Sequence, residues 1–366
     1  MGILTTLAAA GVLALAVSAS AIPLIIRIAH RNRWYDLPNG RKVHTSPLPR
    51  LGGVGMFAAL LVPLLALSVI TLLNVDREAL GFRYELLFVL AGFLVIFATG
   101  LIDDFRNLAA TLKFFLQVAA GVLVVLGGYT IDALALPGLP ALQLGWFAWP
   151  VTVLWLVGLS NAMNLVDGVD GFAGAIAATA ALALGACAFV QGRHAAALVA
   201  VCLLGAVTGF LLFNYPPARI FMGDSGSLLL GFATATLPLL RGSTHPDGAN
   251  LTLDLATTVA VLALPVLDTA TAIGRRLRAH LPIHHPDKLH LHHKLQALGL
   301  SDRTLFWVAI AAGTVLGATA FVAVIVGGWV GWILLVAAAV ILFTLYALMR
   351  YSAIPRMAPD SAARRP

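Results

Sequence analysis

From Trp149 to Gln191 the chain reads WPVTVLWLVGLSNAMNLVDGVDGFAGAIAATAALALGACAFVQ. Two apolar runs, 149–164 and 171–191, flank a short polar string, and both approach or reach the about 17–25 residues that a bilayer-crossing helix needs. The string itself cannot belong to an unbroken helix and serve one site. Asn161, Asn164, Asp167 and Asp170 recur every third residue, and a helix turns through roughly 900° from the first to the last, so these two would point to opposite faces. They share a site only where the helix ends inside the string, and Gly168 and Gly171 supply that break. The stretch therefore reads as membrane helix, polar turn, membrane helix.

The rest of the chain repeats this pattern. Of its 366 residues, 60 % are hydrophobic and 11 % charged, and mean hydropathy is +0.94. So few charges could not cover the surface of soluble domains, and disorder, coiled coil and secreted disulfide scaffolds are excluded as well. The two cysteines, Cys187 and Cys202, sit in apolar runs without metal-ligating neighbours. They read as packed thiols. Eleven apolar stretches are expected to cross the membrane: 3–26, 53–74, 85–101, 112–129, 149–164, 171–191, 195–213, 226–241, 253–273, 305–326 and 328–349. The fold class is an all-α polytopic membrane protein with a single integral domain over 1–349 and a basic tail over 350–366.

An odd number of spans puts the termini on opposite sides. With the C-terminus inside, 19 of the 23 Lys and Arg fall in inner segments, leaving Arg77, Arg83, Arg193 and Arg241 outside. That asymmetry is the positive-inside signature. It explains the net charge of +7 as orientation, so a nucleic-acid partner is not expected. The inner segments 27–52, 102–112, 161–171, 214–227 and 274–304 are then the candidate active-site loops, with the N-terminus outside.

Polar groups at membrane depth are costly, so their placement is informative. Six acids converge on the inner side: Asp103, Asp104, Asp167, Asp170, Asp224 and Asp268. In GLIDDFRN, Asp103 and Asp104 are adjacent at a helix end, and two carboxylates about 4 Å apart repel by roughly 4 kcal/mol at an effective dielectric of about 20. One is protonated, or a cation lies between them. Lys113 opens the next span with Gln117 one turn deeper. In NYPPARIFMGDSGS, Asp224 starts a span, and the backbone N–H groups of Gly223 to Ser227 are expected to form an anion site. Six of the ten histidines lie between His280 and His293. No Cys accompanies them, and His290, His292 and His293 lack the i,i+4 spacing of helical zinc ligands, so hydrogen bonding to a polar anion fits better. In RKVHTSPLPRLGG, Lys42, His44 and Arg50 precede a Gly-Gly entry into the second span; alone this reads as a positive-inside anchor.

Together DLPNGRKVHTSPLPRLGG, GLIDDFRN, NAMNLVDGVDG, FMGDSGS and DKLHLHHKL resemble, in order, the motifs of the polyprenyl-phosphate N-acetylhexosamine-1-phosphate transferase family. The resemblance implies a reaction at the inner face of a bacterial plasma membrane. A lipid phosphate oxygen attacks the β-phosphorus of a UDP-amino sugar, UMP leaves, and a polyprenyl diphosphate-linked sugar starts a cell-envelope glycan. It implies Mg²⁺, with Mn²⁺ as substitute, held by Asp224 and Asn164. It implies that Asp103 and Asp104 bind or deprotonate the lipid phosphate, that Lys113 steadies phosphate charge, and that Asp167 and Asp170 flank the nucleotide with Gly168 and Phe221, the ring stacking on uracil. Lys42, His44, Asn161, His290, His292 and His293 are implied to contact substrate. HLHH, rather than a His triplet, points to UDP-N-acetylglucosamine over the muramoyl-pentapeptide donor. The implied partners are the sugar nucleotide and polyprenyl phosphate, and a homodimer is compatible with them.

Two rivals belong beside this reading. An intramembrane prenyltransferase would need a DxxxD-type spacing, whereas the fourth residue after Asp103 is Asn107. A transporter or channel would place its acids near the midplane, whereas these lie at span ends on one side.

Overall fold

The structure is a computed structural model that describes residues 2–35, 48–73, 85–241, 248–282 and 290–353. It is almost wholly helical. The first four helices are α1 (Ile3–Asn32), α2 (Gly52–Leu73), α3 (Leu86–Arg106) and α4 (Ala110–Leu126). A two-stranded antiparallel hairpin, β1 (Ala133–Leu134) with β2 (Leu142–Gln143), then separates them from α5 (Ala148–Val166). The chain continues through α6 (Phe172–Val190), α7 (His194–Asn214), α8 (Gly223–Thr236), α9 (Gly248–Val261), α10 (Ala263–Arg278), the short α11 (Leu291–Ala297), α12 (Asp302–Val326) and α13 (Gly328–Ala353).

Among the described residues, each of the eleven apolar stretches is helical over most of its length. Among the described residues, seven helices are long and apolar enough to cross a membrane, or eight with one bent pair counted as a single span. The full count of eleven is thus not established by helix length, because α2, α4 and α8 are shorter in their apolar described parts. The stretch 253–273 also differs from expectation. Instead of one straight span it is α9 and α10, bent by 79° at Leu262. Pro265 lies in the first turn of α10, where a missing N–H is tolerated but continuation of a preceding helix is not.

α8 is the centre of the bundle. All its residues are buried, between α3 and α5 with α2 alongside. Its polar side chains are satisfied internally: Thr234 and Thr236 hydroxyls donate to the carbonyls of Leu230 and Phe232 at 2.7 and 2.8 Å. Such closure is required where water is absent. Small residues set the close approaches. A Cβ on Gly231 would stand 2.6 Å from the Leu159 carbonyl oxygen on α5, and one on Gly205 of α7 would stand 2.3 Å from the Gly11 oxygen on α1. α12 packs on α6, and α13 packs on α12 at the periphery.

Candidate active site

The C-terminal ends of α3, α5 and α7 meet the N-terminal ends of α2, α4, α8 and α12 at one end of the bundle. α3 stops where Asn107 turns left-handed (φ 48°), placing Asp103 and Asp104 in its last turn, a position the helix dipole disfavours unless a cation compensates. Lys113, one turn into α4, supplies it. Its Nζ donates to Asp103 Oδ2 at 3.0 Å and also to Asp224 Oδ2. The other Asp103 oxygen accepts the Leu108 N–H at 2.6 Å, closing the turn between α3 and α4.

Asp104 has a different task. Its Oδ1 accepts the Asp224 N–H at 2.7 Å, and its Oδ2 accepts the Ser225 N–H at 3.1 Å and the Ser225 hydroxyl at 2.7 Å. The anion expected at the start of α8 is therefore a carboxylate of the chain itself. Helix α3 caps helix α8, and the cap fixes the backbone of Asp224. The approach demands glycines. Gly223 has φ +70°, and a Cβ there would lie 2.5 Å from Asp104 Oδ2; a Cβ on Gly100 would lie 2.4 Å from the Asp224 oxygen.

Arg50 completes the cluster. Its Nη2 donates to Asp224 Oδ1 at 2.8 Å and its Nε lies 3.4 Å from Asp104 Oδ1. The segment carrying it pairs with the chain just before α8: Phe221 N–H donates to the Pro49 oxygen, and Gly52 and Gly53 N–H donate to Phe221 and Met222 oxygens, at 2.8, 2.9 and 2.9 Å. Gly52 and Gly53 are required there, since a Cβ on Gly53 would meet Gly226 N at 2.3 Å. Arg50 is thus a site residue that the sequence presented only as a topological anchor.

The polar string between α5 and α6 breaks as expected. α5 ends at Val166, and Gly171 has φ +70° before α6. Asn161 and Gln117 exchange hydrogen bonds at 2.6 and 3.3 Å. Asn164 Nδ2 donates to Ser227 Oγ at 2.8 Å, which orients the amide by engaging its nitrogen. Asp170 Oδ2 accepts the Ala218 N–H at 2.9 Å, and Asn214 ties Gly171 to Ile220, so this turn braces the loop leading to Phe221 and Asp224. Gly168 donates its N–H to Val166 within the turn. Crowding by protein pushes the Asp167 carboxyl up to about 7; Arg50 opposes the shift, and Asp224, Asp104 and Asp170 add to it.

Of the six converging acids, five share this end of the bundle, against the cations Lys113 and Arg50. Asp268 stands apart, bonded to His290 at 2.8 Å. His293 lies in α11; Lys42, His44 and the His292 side chain fall outside the described residues. Among the described residues no group of three or more His, Cys, Asp or Glu side chains is arranged to hold a metal ion. The donor set still suits a hard divalent cation. Asp103 and Asp224 already converge on one cationic atom, and Mg²⁺ usually takes only one or two carboxylates with substrate phosphates and water.

Comparison with known proteins identifies the family. The family model for glycosyl transferase family 4 matches residues 86–241, from α3 through α8. A probable undecaprenyl-phosphate N-acetylglucosaminyl 1-phosphate transferase of Bacillus subtilis is 32 % identical over 302 residues, 82 % of this chain and 80 % of the relative. A decaprenyl-phosphate N-acetylglucosaminephosphotransferase of Mycobacterium leprae is 33 % identical over 336 residues, 84 % and 83 %. A phospho-N-acetylmuramoyl-pentapeptide-transferase of Listeria welshimeri is 32 % identical over 280 residues, 72 % and 82 %. With relatives this similar along most of its length, the chain belongs to glycosyl transferase family 4, the polyprenyl-phosphate N-acetylhexosamine-1-phosphate transferases.

Proposed function

We propose that this protein transfers N-acetylglucosamine-1-phosphate from UDP-N-acetylglucosamine to a polyprenyl phosphate, releasing UMP. The observation that carries the reading is the Asp103–Lys113–Asp224–Arg50 cluster at one end of an apolar bundle, where a soluble nucleotide and a membrane lipid meet. Relatives named for N-acetylglucosamine transfer align over more of this chain than the muramoyl-pentapeptide relative does, which favours the simpler sugar. The distribution of basic residues supports a cytoplasmic site and C-terminus in a bacterial plasma membrane.

Phosphoryl transfer needs positioned charge more than covalent participation by the protein. Lys113 orients the lipid phosphate beside Asp103, which accepts its last proton. The phosphate oxygen then attacks the β-phosphorus directly, and the bond from that phosphorus to the bridging oxygen breaks as UMP leaves. Asp224 and the Asn164 oxygen, with Asp103 beside them, would hold Mg²⁺ or Mn²⁺, which when bound neutralises diphosphate charge. Asp104 keeps Asp224 in place through the α8 cap, Arg50 screens it, and Phe221 stacks on uracil with Asp167 and Asp170 nearby.

The test is purified protein with a polyprenyl phosphate and a panel of UDP-sugars. UMP release with UDP-N-acetylglucosamine, dependent on both substrates and a divalent ion, supports the reading. Transport of a substrate into vesicles without UMP release refutes it.

A further inference from the structure

Between Asp132 and Asp167 the chain carries no charged residue. The first half of that stretch, from β1 to the start of α5, lies on the outside of the bundle. Leu139, Leu142, Trp146, Phe147 and Trp149 are 56, 63, 96, 71 and 52 % exposed. The hairpin is nevertheless tied at three points. The Ile131 N–H donates to Thr152 Oγ1 on α5 at 2.8 Å, the Ala135 N–H to Thr252 Oγ1 on α9 at 2.7 Å, and the Leu144 N–H to the Asp132 carbonyl oxygen at 2.8 Å. Ala133 and Ala135 are buried, whereas Leu136 and, on the second strand, Leu142 are exposed. That is the alternation of a ribbon with one face on protein and the other turned outward. A fixed apolar patch of this kind marks a contact surface.

Helix length identifies what that surface touches. The charged Lys113 of α4 and the polar string that begins at Asn161 of α5 belong to the other end of the bundle, with the acidic cluster. From Lys113, α4 continues only to Leu126, and α5 begins at Ala148, equally far before Asn161. At about 1.5 Å per residue each segment covers about 20 Å, against a hydrocarbon core of about 30 Å. Both helices therefore stop short of the opposite headgroups, and the hairpin that joins them takes up the difference. Its two-residue strands leave backbone groups that hydrocarbon cannot satisfy. It settles instead where acyl chains meet headgroups, the layer that tryptophan favours, and local thinning of the bilayer covers the rest of the mismatch. We propose that this hairpin is a lipid-inserted anchor: Leu139, Leu142, Trp146 and Phe147 enter the leaflet opposite the acidic cluster, and the anchor sets how deep the bundle rides in the membrane. The inference needs the acidic cluster to meet water at one face, and it does not depend on which sugar is transferred.

The test uses the full chain in nanodiscs of phosphatidylethanolamine and phosphatidylglycerol, with a spin label at Leu142→Cys or Trp146→Cys. Cys187 and Cys202 are buried and stay unlabelled in the folded protein. Collision of the label with oxygen, which concentrates in lipid, is compared with collision with a water-soluble nickel chelate. Asp132→Cys serves as the water reference, and Leu154→Cys, at a side chain 62 % exposed within α5, as the lipid reference. The expected oxygen-to-nickel ratio at 142 and 146 is severalfold above that of Asp132→Cys and below that of Leu154→Cys. A ratio equal to that of Asp132→Cys puts the hairpin in water and overturns the anchor. Low collision with both reagents means that protein, such as a second copy of the chain, covers the patch, and this overturns it too. A second measurement needs no label. Lipids brominated near the headgroup should quench the tryptophan fluorescence of the wild type more than that of Trp146→Phe; equal quenching of the two contradicts insertion. All these readouts are independent of UMP release, so failure of the anchor and failure of the proposed activity are told apart.

Discussion

The two adjacent aspartates should separate experimentally, because the structure gives them different work. Asp104→Ala removes the acceptor of three buried donors, the Asp224 and Ser225 N–H groups and the Ser225 hydroxyl. Its side chain is 1 % exposed, so little water can replace it. Leaving a buried donor unpaired costs about 1–3 kcal/mol. With partial relaxation at the start of α8, the sum is about 3–5 kcal/mol. For a chain of this length that is a fall in Tm on the order of 5 °C. Asp103→Ala removes the Leu108 and Lys113 contacts at a side chain that is 15 % exposed, where water can take over, so its cost is about 1–2 kcal/mol. The assay is available in the chain itself. Cys187 and Cys202 are free and buried, so a thiol-reactive dye reports unfolding of the purified protein in detergent. Asp104→Ala should melt well below Asp103→Ala, although both lose UMP release. Indistinguishable melting of the two variants, or Asp104→Ala melting with the wild type, would refute the capping role.

Gly100→Ala should abolish activity and lower Tm, since its Cβ would stand 2.4 Å from the backbone of Asp224 and Ser225, whereas Gly158→Ala, with nothing within 4 Å, should be neutral or stabilising in the same melts. Asp167 binds an extra proton in the folded protein between its ordinary value of 3.8 and about 7, so its contribution to stability is present at the acid end of that window and is lost as pH rises through about 7. Without divalent ions, Asp167→Asn should therefore melt above the wild type at pH 8, by less at pH 5, and converge with it only near pH 4; a gap independent of pH contradicts this. At the opposite end of the bundle, Arg193 Nη2 meets Asp254 Oδ1 at 3.2 Å, with side chains 7 % and 5 % exposed. Breaking such a pair from one side costs about 3–5 kcal/mol, so Asp254→Leu should melt early yet keep the wild-type KM for both substrates.

What the sequence revealed follows from what sequence patterns encode. Apolar run length locates the helices, and the glycine-broken NAMNLVDGVDG string correctly ends α5 before Asp167, since that argument needs only helical periodicity. The 79° bend at Leu262 was hidden because hydropathy does not register direction, although Pro265 was its local mark. The expectation of an anion at the α8 N-terminus was right in kind, but the occupant, Asp104, lies 120 residues away, and no local pattern reports that α3 and α8 touch. Arg50 was missed for the same reason. In a membrane protein a basic residue near a span looks like an orientation signal until the pairing of residues 49–53 with 221–222 brings it onto Asp224. Asp268 was grouped with the other inward acids because it shares their side of the membrane, but packing directs it to His290 instead.

The central claim is that Asp224, held by Asp104 and Arg50, anchors a divalent ion beside Lys113. The direct measurement is Mn²⁺ binding by electron paramagnetic resonance, with purified protein and UDP-N-acetylglucosamine present. One saturable ion per chain in the wild type, lost in Asp224→Ala and retained in the distant Asp254→Leu, is the predicted result. Equal Mn²⁺ binding in the wild type and Asp224→Ala, or no saturable binding in either, would contradict it.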